Sequence, residues 1–332
     1  MKVYIKALAY ALPEKILTNA QLVELFPEWS VDKIASKVGV NQRHVAADNE
    51  TAADLAVRAA ENLFKENQID RSTIDFVLFC TETPDYMLPC SACLIQHELR
   101  LPTTCGALDF SLGCSGFIYG LALSKGLIFS GMATNVLLLT GETMTKCLHP
   151  KDKGNRTIFG DGASASLISK NGLAEIGEFS FGSDGKNKED LIIKTGAMRH
   201  REPLNDLTFD ASNNPVSSDF LYMNGSAVFS FSNLVVPDLV DHVLARNHLL
   251  QPDINLFVFH QANKYMINYL RKLLSIEEEK FYIFLENVGN TVSSSIPIAL
   301  YEAKKEDRLH GQVLLAGFGA GYSWGGVTLN FN

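Results

Sequence analysis

Cys114 sits in the run Asp-Phe-Ser-Leu-Gly-Cys-Ser-Gly-Phe, between Gly113 and Ser115-Gly116, directly ahead of a long apolar helical pattern. A thiol at a helix N-terminus faces unpaired N–H groups and the positive end of the dipole, which favour thiolate and make the sulfur a nucleophile. Small neighbours let a substrate approach, and a buried structural thiol is the competing reading. His260, in Val-Phe-His-Gln-Ala-Asn, follows an apolar strand pattern and precedes Asn263, which opens a helix. The carboxyl end of a buried strand is where open α/β sheets present ligand-binding groups. Asn290 follows Gly289 in Glu-Asn-Val-Gly-Asn-Thr, a polar turn before a helix that starts near Pro297. On its own it reads equally well as a loop or capping residue. The last chemical element is Gly-Phe-Gly-Ala-Gly-Tyr-Ser-Trp-Gly-Gly, with Gly317, Gly319 and Gly321 directly after a strand pattern. Its spacing is not that of a dinucleotide loop, so a tight loop whose N–H groups reach an anionic intermediate is the better reading.

Elements able to hold these groups alternate along the chain. Leu55, Ala56, Ala59, Ala60 and Leu63 fall on one face of a predicted helix, followed by the short apolar strand Phe76–Cys80. A helix from Gly116 ending near Gly131 leads to a second buried strand from Asn135. The opening stretch, interrupted by Lys6 and stopped at Pro13, reads as an edge strand rather than a leader. Such alternation predicts an α/β fold with a largely parallel sheet. The pattern then recurs. Asn-Leu-Phe-Val-Phe-His from Asn255 echoes Asp-Phe-Val-Leu-Phe-Cys from Asp75, and Gln-Val-Leu-Leu-Ala-Gly from Gln312 echoes Asn-Val-Leu-Leu-Leu-Thr from Asn135. Two markers recurring at nearly one offset point to a duplicated unit near half the chain length. The halves are 1–172, carrying the cysteine, and 173–332, carrying the histidine and asparagine.

Composition sets the outer limits. The 332 residues are 46% hydrophobic and 20% charged, which excludes disorder and collagen-like repeats, and no window of about 18 uncharged apolar residues suggests a membrane span. A formal net charge of −8 argues against a nucleic-acid partner, which needs a basic face. Six cysteines confined to the first half read as free thiols in a reducing cytoplasm. Cys90 and Cys93, the one close pair, read as two small residues on a buried helix rather than a metal or redox site.

Taken together, the motifs around Cys114, His260 and Asn290 resemble the Cys-His-Asn triad of the β-ketoacyl-[acyl carrier protein] synthase III family, condensing enzymes of the thiolase superfamily. The likeness covers nearly the whole chain. It extends through Leu-Pro-Glu-Lys-Ile-Leu-Thr-Asn-Ala-Gln-Leu, the stretch around Arg43, Thr-Glu-Thr-Pro-Asp-Tyr-Met-Leu-Pro, Phe-Gly-Asp-Gly-Ala-Ser-Ala-Ser around Asp161, and the closing glycine-rich run. It implies a five-layered αβαβα thiolase sandwich and an acyltransferase of fatty acid biosynthesis. Cys114 would carry the acyl group, with the backbone N–H groups of Cys114 and Ala320 as oxyanion hole. His260 and Asn290 would assist decarboxylation of malonyl-acyl carrier protein. The resemblance further implies substrate contacts at Leu88, Lys153, Phe229, Asn263 and Phe318, carrier-protein docking at Arg271 and Lys272, and a cytoplasmic homodimer. Coenzyme A or acyl carrier protein thioesters are its substrates, and no metal or other cofactor is implied.

The chain departs from the family at the adenine clamp, where Lys33 and Lys153 stand for a tryptophan and an arginine, with Trp29 near but out of register. Lysine is no planar stacking partner, which favours a donor held otherwise than by adenine. Two other readings compete. One is a non-decarboxylative Claisen enzyme of the 3-hydroxy-3-methylglutaryl synthase type, with Glu82 as base rather than a solvated loop carboxylate. The other is a catalytically silent acyl-binding scaffold.

Overall fold

The computed structural model describes residues 1–331. Its main sheet is nine-stranded: β1 Tyr4–Ala11, β2 Phe76–Cys80, β3 Gly106–Phe110, β4 Val136–Glu142, β5 Gly162–Ser169, β6 Ala174–Ser183, β7 Ile254–Phe259, β8 Gly311–Gly319 and β9 Ser323–Phe331. The helices are α1 Asn19–Leu25, α2 Val31–Val38, α3 Ala52–Asn67, α4 Ser91–Glu98, α5 Gly116–Phe129, α6 Asn155–Ile158, α7 Gly225–Arg246, α8 Lys264–Leu273 and α9 Ser295–Lys305. Across the sheet the order is β7-β8-β9-β6-β1-β5-β4-β2-β3.

That order repeats itself. Read outward from β1, the first half runs β1-β5-β4-β2-β3; read outward from β6, the second runs β6-β9-β8-β7. In the four-strand pattern that both share, β2-β4-β5-β1 and β7-β8-β9-β6, the two outermost strands pair parallel, β2 with β4 and β7 with β8, and the next strand inward is antiparallel. The two strand pairs that echo one another in sequence therefore occupy matching positions. A short antiparallel contact, Tyr4 opposite Glu175 and Ile5 opposite Ala174, joins the halves. This corrects the edge-strand expectation for the opening residues: β1 is central, flanked by β5 and β6. The expected largely parallel sheet is mixed as well. The hairpin β8–β9 and the neighbours β4 and β5 contribute antiparallel pairs that α/β alternation does not announce.

Strand alternation builds the layers. On β4, Val136 and Leu138 face inward while Leu137 and Leu139 face the outer helix; on β8, Val313 and Leu315 face inward while Leu314 and Ala316 face out. The inner faces meet Phe117, Ile118 and Leu121 of α5 and Ile296, Ala299 and Leu300 of α9, which form the middle layer. Leu55, Ala56, Ala59 and Leu63 of α3 cover the first half, as periodicity predicted, and Val236, Leu239, Val240 and Val243 of α7 cover the second. This is the five-layered αβαβα arrangement. Helix α7 is the one described helix long and apolar enough to cross a membrane, and here it packs its buried stripe on β6, β8 and β9.

Candidate active site

Three chain segments from different layers converge where the two halves meet. Cys114 is held in the turn between β3 and α5, His260 directly follows β7, and Asn290, bridged to Phe159, lies ahead of α9. All three line one cavity of about 120 Å³, together with Ile158, Phe159, Met223 and Phe318. Asn263, also expected at the site, lines it too, and its side chain caps α8 by accepting the Met266 N–H at 2.9 Å.

Close backbone approach shapes the floor. A methyl added at Gly319 would lie 2.8 Å from both Cβ and Sγ of Cys114, and one at Gly317 would lie 2.8 Å from the Cys114 carbonyl. The glycine-rich run is thus the end of β8 and the turn into β9, pressed against the cysteine, rather than a free loop. The backbone N–H groups of Cys114 and Ala320 both point at the thiol and favour its charged form, but burial outweighs them. Burial, then the charges of Glu82 and Glu142, push the Cys114 thiol well up. This overturns the lowered pKa expected from a helix start: in the closed site, desolvation outweighs the dipole.

His260 is 2% exposed and enclosed, so burial depresses its pKa to about 3 and the ring is neutral. Its Nδ1 lies 2.7 Å from Ser295 Oγ, and Phe318 meets the ring edge-on at 5.9 Å between centroids. Asn290 is fixed at both ends. Its N–H donates to the Ile158 carbonyl at 2.9 Å, its carbonyl accepts the Gly160 N–H at 3.0 Å, and its Oδ1 accepts the Val292 N–H at 2.9 Å. With Oδ1 engaged, the amide NH₂ is the group left to face the cavity. Gly289, at φ 74° with the Ile158 carbonyl 2.8 Å from any added methyl, is a position only glycine suits. Sequence reasoning missed Ser295 and Val292; the run Val292-Ser293-Ser294-Ser295 was their only local sign.

Other expected residues stand apart from this cavity. Leu88 is 82% exposed in a loop with exposed Tyr86 and Met87. Lys153 pairs with Glu28 at 2.8 Å, while Lys33 and Lys37 lie over the Trp29 ring at 5.1 and 5.7 Å. Phe229 stacks on Tyr265 and meets Tyr269 edge-on, beside Val228, which does line the cavity. Arg271 turns inward, donating to the Ile276 carbonyl at 3.0 Å, whereas Lys272 stays exposed. The Arg271 guanidinium also lies 3.6 Å from Glu278. Cys93 is exposed, not buried, with its sulfur 3.3 Å from that of Cys90. Glu82 is not a solvated loop carboxylate either; it packs against Gly113.

Comparison with known proteins agrees across the chain. Residues 108–185 match the family model described as 3-Oxoacyl-[acyl-carrier-protein (ACP)] synthase III, and residues 244–331 match the model of its C terminal. A β-ketoacyl-[acyl-carrier-protein] synthase III of Clostridium perfringens is 34% identical over 320 residues, 96% of this chain and 95% of that one. A solved 3-oxoacyl-(acyl-carrier-protein) synthase III is 46% identical with a TM-score of 0.97, covering 100% of both chains. A 3-oxoacyl-(acyl-carrier protein) synthase from Burkholderia xenovorans LB400 is 32% identical with a TM-score of 0.91, covering 100% of this chain and 95% of its own.

Proposed function

This chain belongs to the β-ketoacyl-[acyl carrier protein] synthase III family, acyltransferases of the thiolase fold that condense an acyl primer with malonyl-acyl carrier protein, and we propose that it does so through an acyl-Cys114 intermediate. The observation that carries this reading is the meeting of Cys114, His260 and Asn290 in one small cavity from three separate segments.

The thiol sulfur attacks the acyl thioester, the carbonyl oxygen takes the negative charge against the N–H groups of Cys114 and Ala320, and the donor leaves as a thiol. Malonyl-acyl carrier protein then enters. His260 Nε2–H and the Asn290 NH₂ donate to its thioester carbonyl, stabilising the enolate formed as the C–CO₂ bond breaks. The carbanion attacks the acyl-cysteine carbonyl, Cys114 leaves, and a β-ketoacyl thioester is released. A neutral imidazole suits this work, because a donor and not a strong base is needed once decarboxylation supplies the electron pair.

Several finer readings accompany this one. Residues 1–172 and 173–332 are duplicated halves, a reading supported by their matching strand order. The enzyme works as a homodimer: β3 is an edge strand with no partner on its outer side among the described residues, and exposed Tyr86, Met87 and Leu88 adjoin it. Leu88 then meets the partner's acyl chain rather than its own. Phe318 and Asn263 contact substrate inside the cavity, Phe229 and Lys153 at its mouth, and Lys272 offers charge to an acidic carrier protein. We assign the enzyme to the cytoplasm, a reading supported by six free cysteines. Carbon dioxide release from radiolabelled malonyl-acyl carrier protein tests the reaction. Release by the wild type and its loss in His260→Ala support it; equal release by both would contradict it.

A further inference from the structure

Outside the catalytic cavity, one pair of side chains is placed for chemistry that the condensation does not use. Cys90 and Cys93 hold their sulfur atoms 3.3 Å apart, the one sulfur pair in contact among the described residues. Neither lines the cavity that holds Cys114. Cys93 is exposed and Cys90 half-buried, so the pair opens to solvent at the head of α4.

Helix geometry brings the two together. Cys90 is the N-cap of α4, with extended backbone at φ −65° and ψ 144°, and Cys93 is the third residue of the helix. N-cap and third-residue side chains meet over the first turn, as they do in a capping box. An N-cap side chain ordinarily turns to the free N–H groups, but Cys90 makes no such bond. Asp109 of β3 has taken their place: its carboxylate accepts the Ser91 and Ala92 N–H groups, each at 2.6 Å. The Cys90 sulfur is thereby left to its neighbour on the same turn.

That carboxylate also bears on what kind of dithiol this is. A cysteine at a bare helix N-terminus is favoured as thiolate, which stabilises the reduced form of a redox pair. Here the hydrogen bond shared with Cys90, then partial burial and the charges of Cys90 and Asp109, hold the Cys93 thiol up. With no thiolate favoured in the reduced state, a bridged state persists once it has formed. Bridging needs the sulfurs to close from 3.3 Å to ~2.05 Å, a shift of the kind that side-chain rotation supplies.

We propose that Cys90 and Cys93 form a reversible disulfide by exchange with a low-molecular-weight disulfide such as that of glutathione. The exposed Cys93 thiolate attacks one sulfur of glutathione disulfide, forming a mixed disulfide and releasing one glutathione thiolate. Cys90 then loses its proton and attacks the Cys93 sulfur. The new S–S bond forms as the bond to glutathione breaks. Two protons and two electrons leave the cysteine pair, and one glutathione disulfide becomes two glutathione thiols. Because Cys90 is the second residue after Leu88, the bridge ties the end of the exposed segment 86–88 to the first turn of α4.

The full chain, reduced with dithiothreitol and desalted, is incubated with excess glutathione disulfide at about pH 8, where some thiolate is present. Acid stops the exchange, and chymotryptic peptides, which separate Cys80 from the pair, are mapped without reduction. The wild-type peptide should be lighter by two hydrogens and carry no glutathione, and dithiothreitol should restore both thiols. The second step is intramolecular, so the mixed disulfide should stay at least about tenfold scarcer than the bridge. Cys90→Ser lacks the resolving thiol and should retain one glutathione on Cys93. A wild-type peptide with both thiols free, or one that keeps glutathione on Cys93, would overturn the inference. No adduct on Cys90→Ser would overturn the assignment of Cys93 as the attacking thiol.

Discussion

Ser295 Oγ and His260 Nδ1 are 2.7 Å apart, in a site where the imidazole is neutral. With the hydroxyl donating to Nδ1, the ring is held in orientation and its proton sits on Nε2, the arrangement that the proposed donation to the malonyl carbonyl needs. Ser295→Ala should lower malonyl decarboxylation roughly tenfold to 10²-fold while leaving acylation of Cys114 near wild type. Ser295→Thr, which keeps the hydroxyl, should recover most of the loss. Equal activity in the alanine and threonine variants would dissociate the serine from the tautomer.

Burial of His260 also carries a pH signature. Its folded pKa, about 3, lies below the unfolded value near 6.5, so between those values only the unfolded chain binds the proton. Stability contributed by the neutral ring is present above the unfolded pKa and falls as pH drops below it. Urea midpoints for wild type and His260→Ala should therefore diverge less at about pH 5 than at about pH 7.5, to the disadvantage of wild type in acid. For the same reason, decarboxylation should show no inflection near pH 6.5.

The division of labour between the halves of the site predicts separable defects. His260→Ala and Asn290→Ala should both accept an acyl group on Cys114, and each should lose about 10²-fold or more in decarboxylation. Loss of acylation to the same extent, read from single-turnover adduct formation, would instead make the histidine a partner of the thiol.

Gly319 tests the oxyanion hole through packing. An alanine methyl there meets Cβ and Sγ of Cys114 at 2.8 Å, so either the sulfur or the Ala320 N–H must shift. Gly319→Ala should cut acylation at least tenfold while malonyl decarboxylation falls less. A variant that acylates normally would show that the sulfur and the amide tolerate displacement.

Lys153 is held by Glu28, and Trp29 already carries two lysine side chains over its ring. Neither is free to clamp adenine without breaking these contacts. Acyl donors on a carrier protein, or longer acyl thioesters, should therefore surpass acetyl-coenzyme A in kcat/KM for acylating Cys114, by about tenfold. A clear preference for acetyl-coenzyme A would sink this reading.

What could be read from the sequence was what is local. Cys114, His260 and Asn290 each stand in a short run whose glycines or strand-end position mark them, and the echo between β2 and β7 and between β4 and β8 gave the duplicated architecture. The remainder depends on contacts between distant segments. Ser295 becomes meaningful only because α9 begins beside the end of β7, and Glu82 meets Glu142 only because β2 and β4 are neighbours. Burial reversed two local inferences, the lowered Cys114 pKa and the solvated state of Glu82, because the cost of charge in an enclosed site is set by what folds over it.

The account turns on one sulfur. Intact-protein mass spectrometry after incubation with an acyl thioester should find a single acyl adduct on the wild type, located by peptide mapping to Cys114. The Cys114→Ala protein, with its five other cysteines present and Cys93 exposed, should carry none. The same adduct on Cys114→Ala would contradict the account.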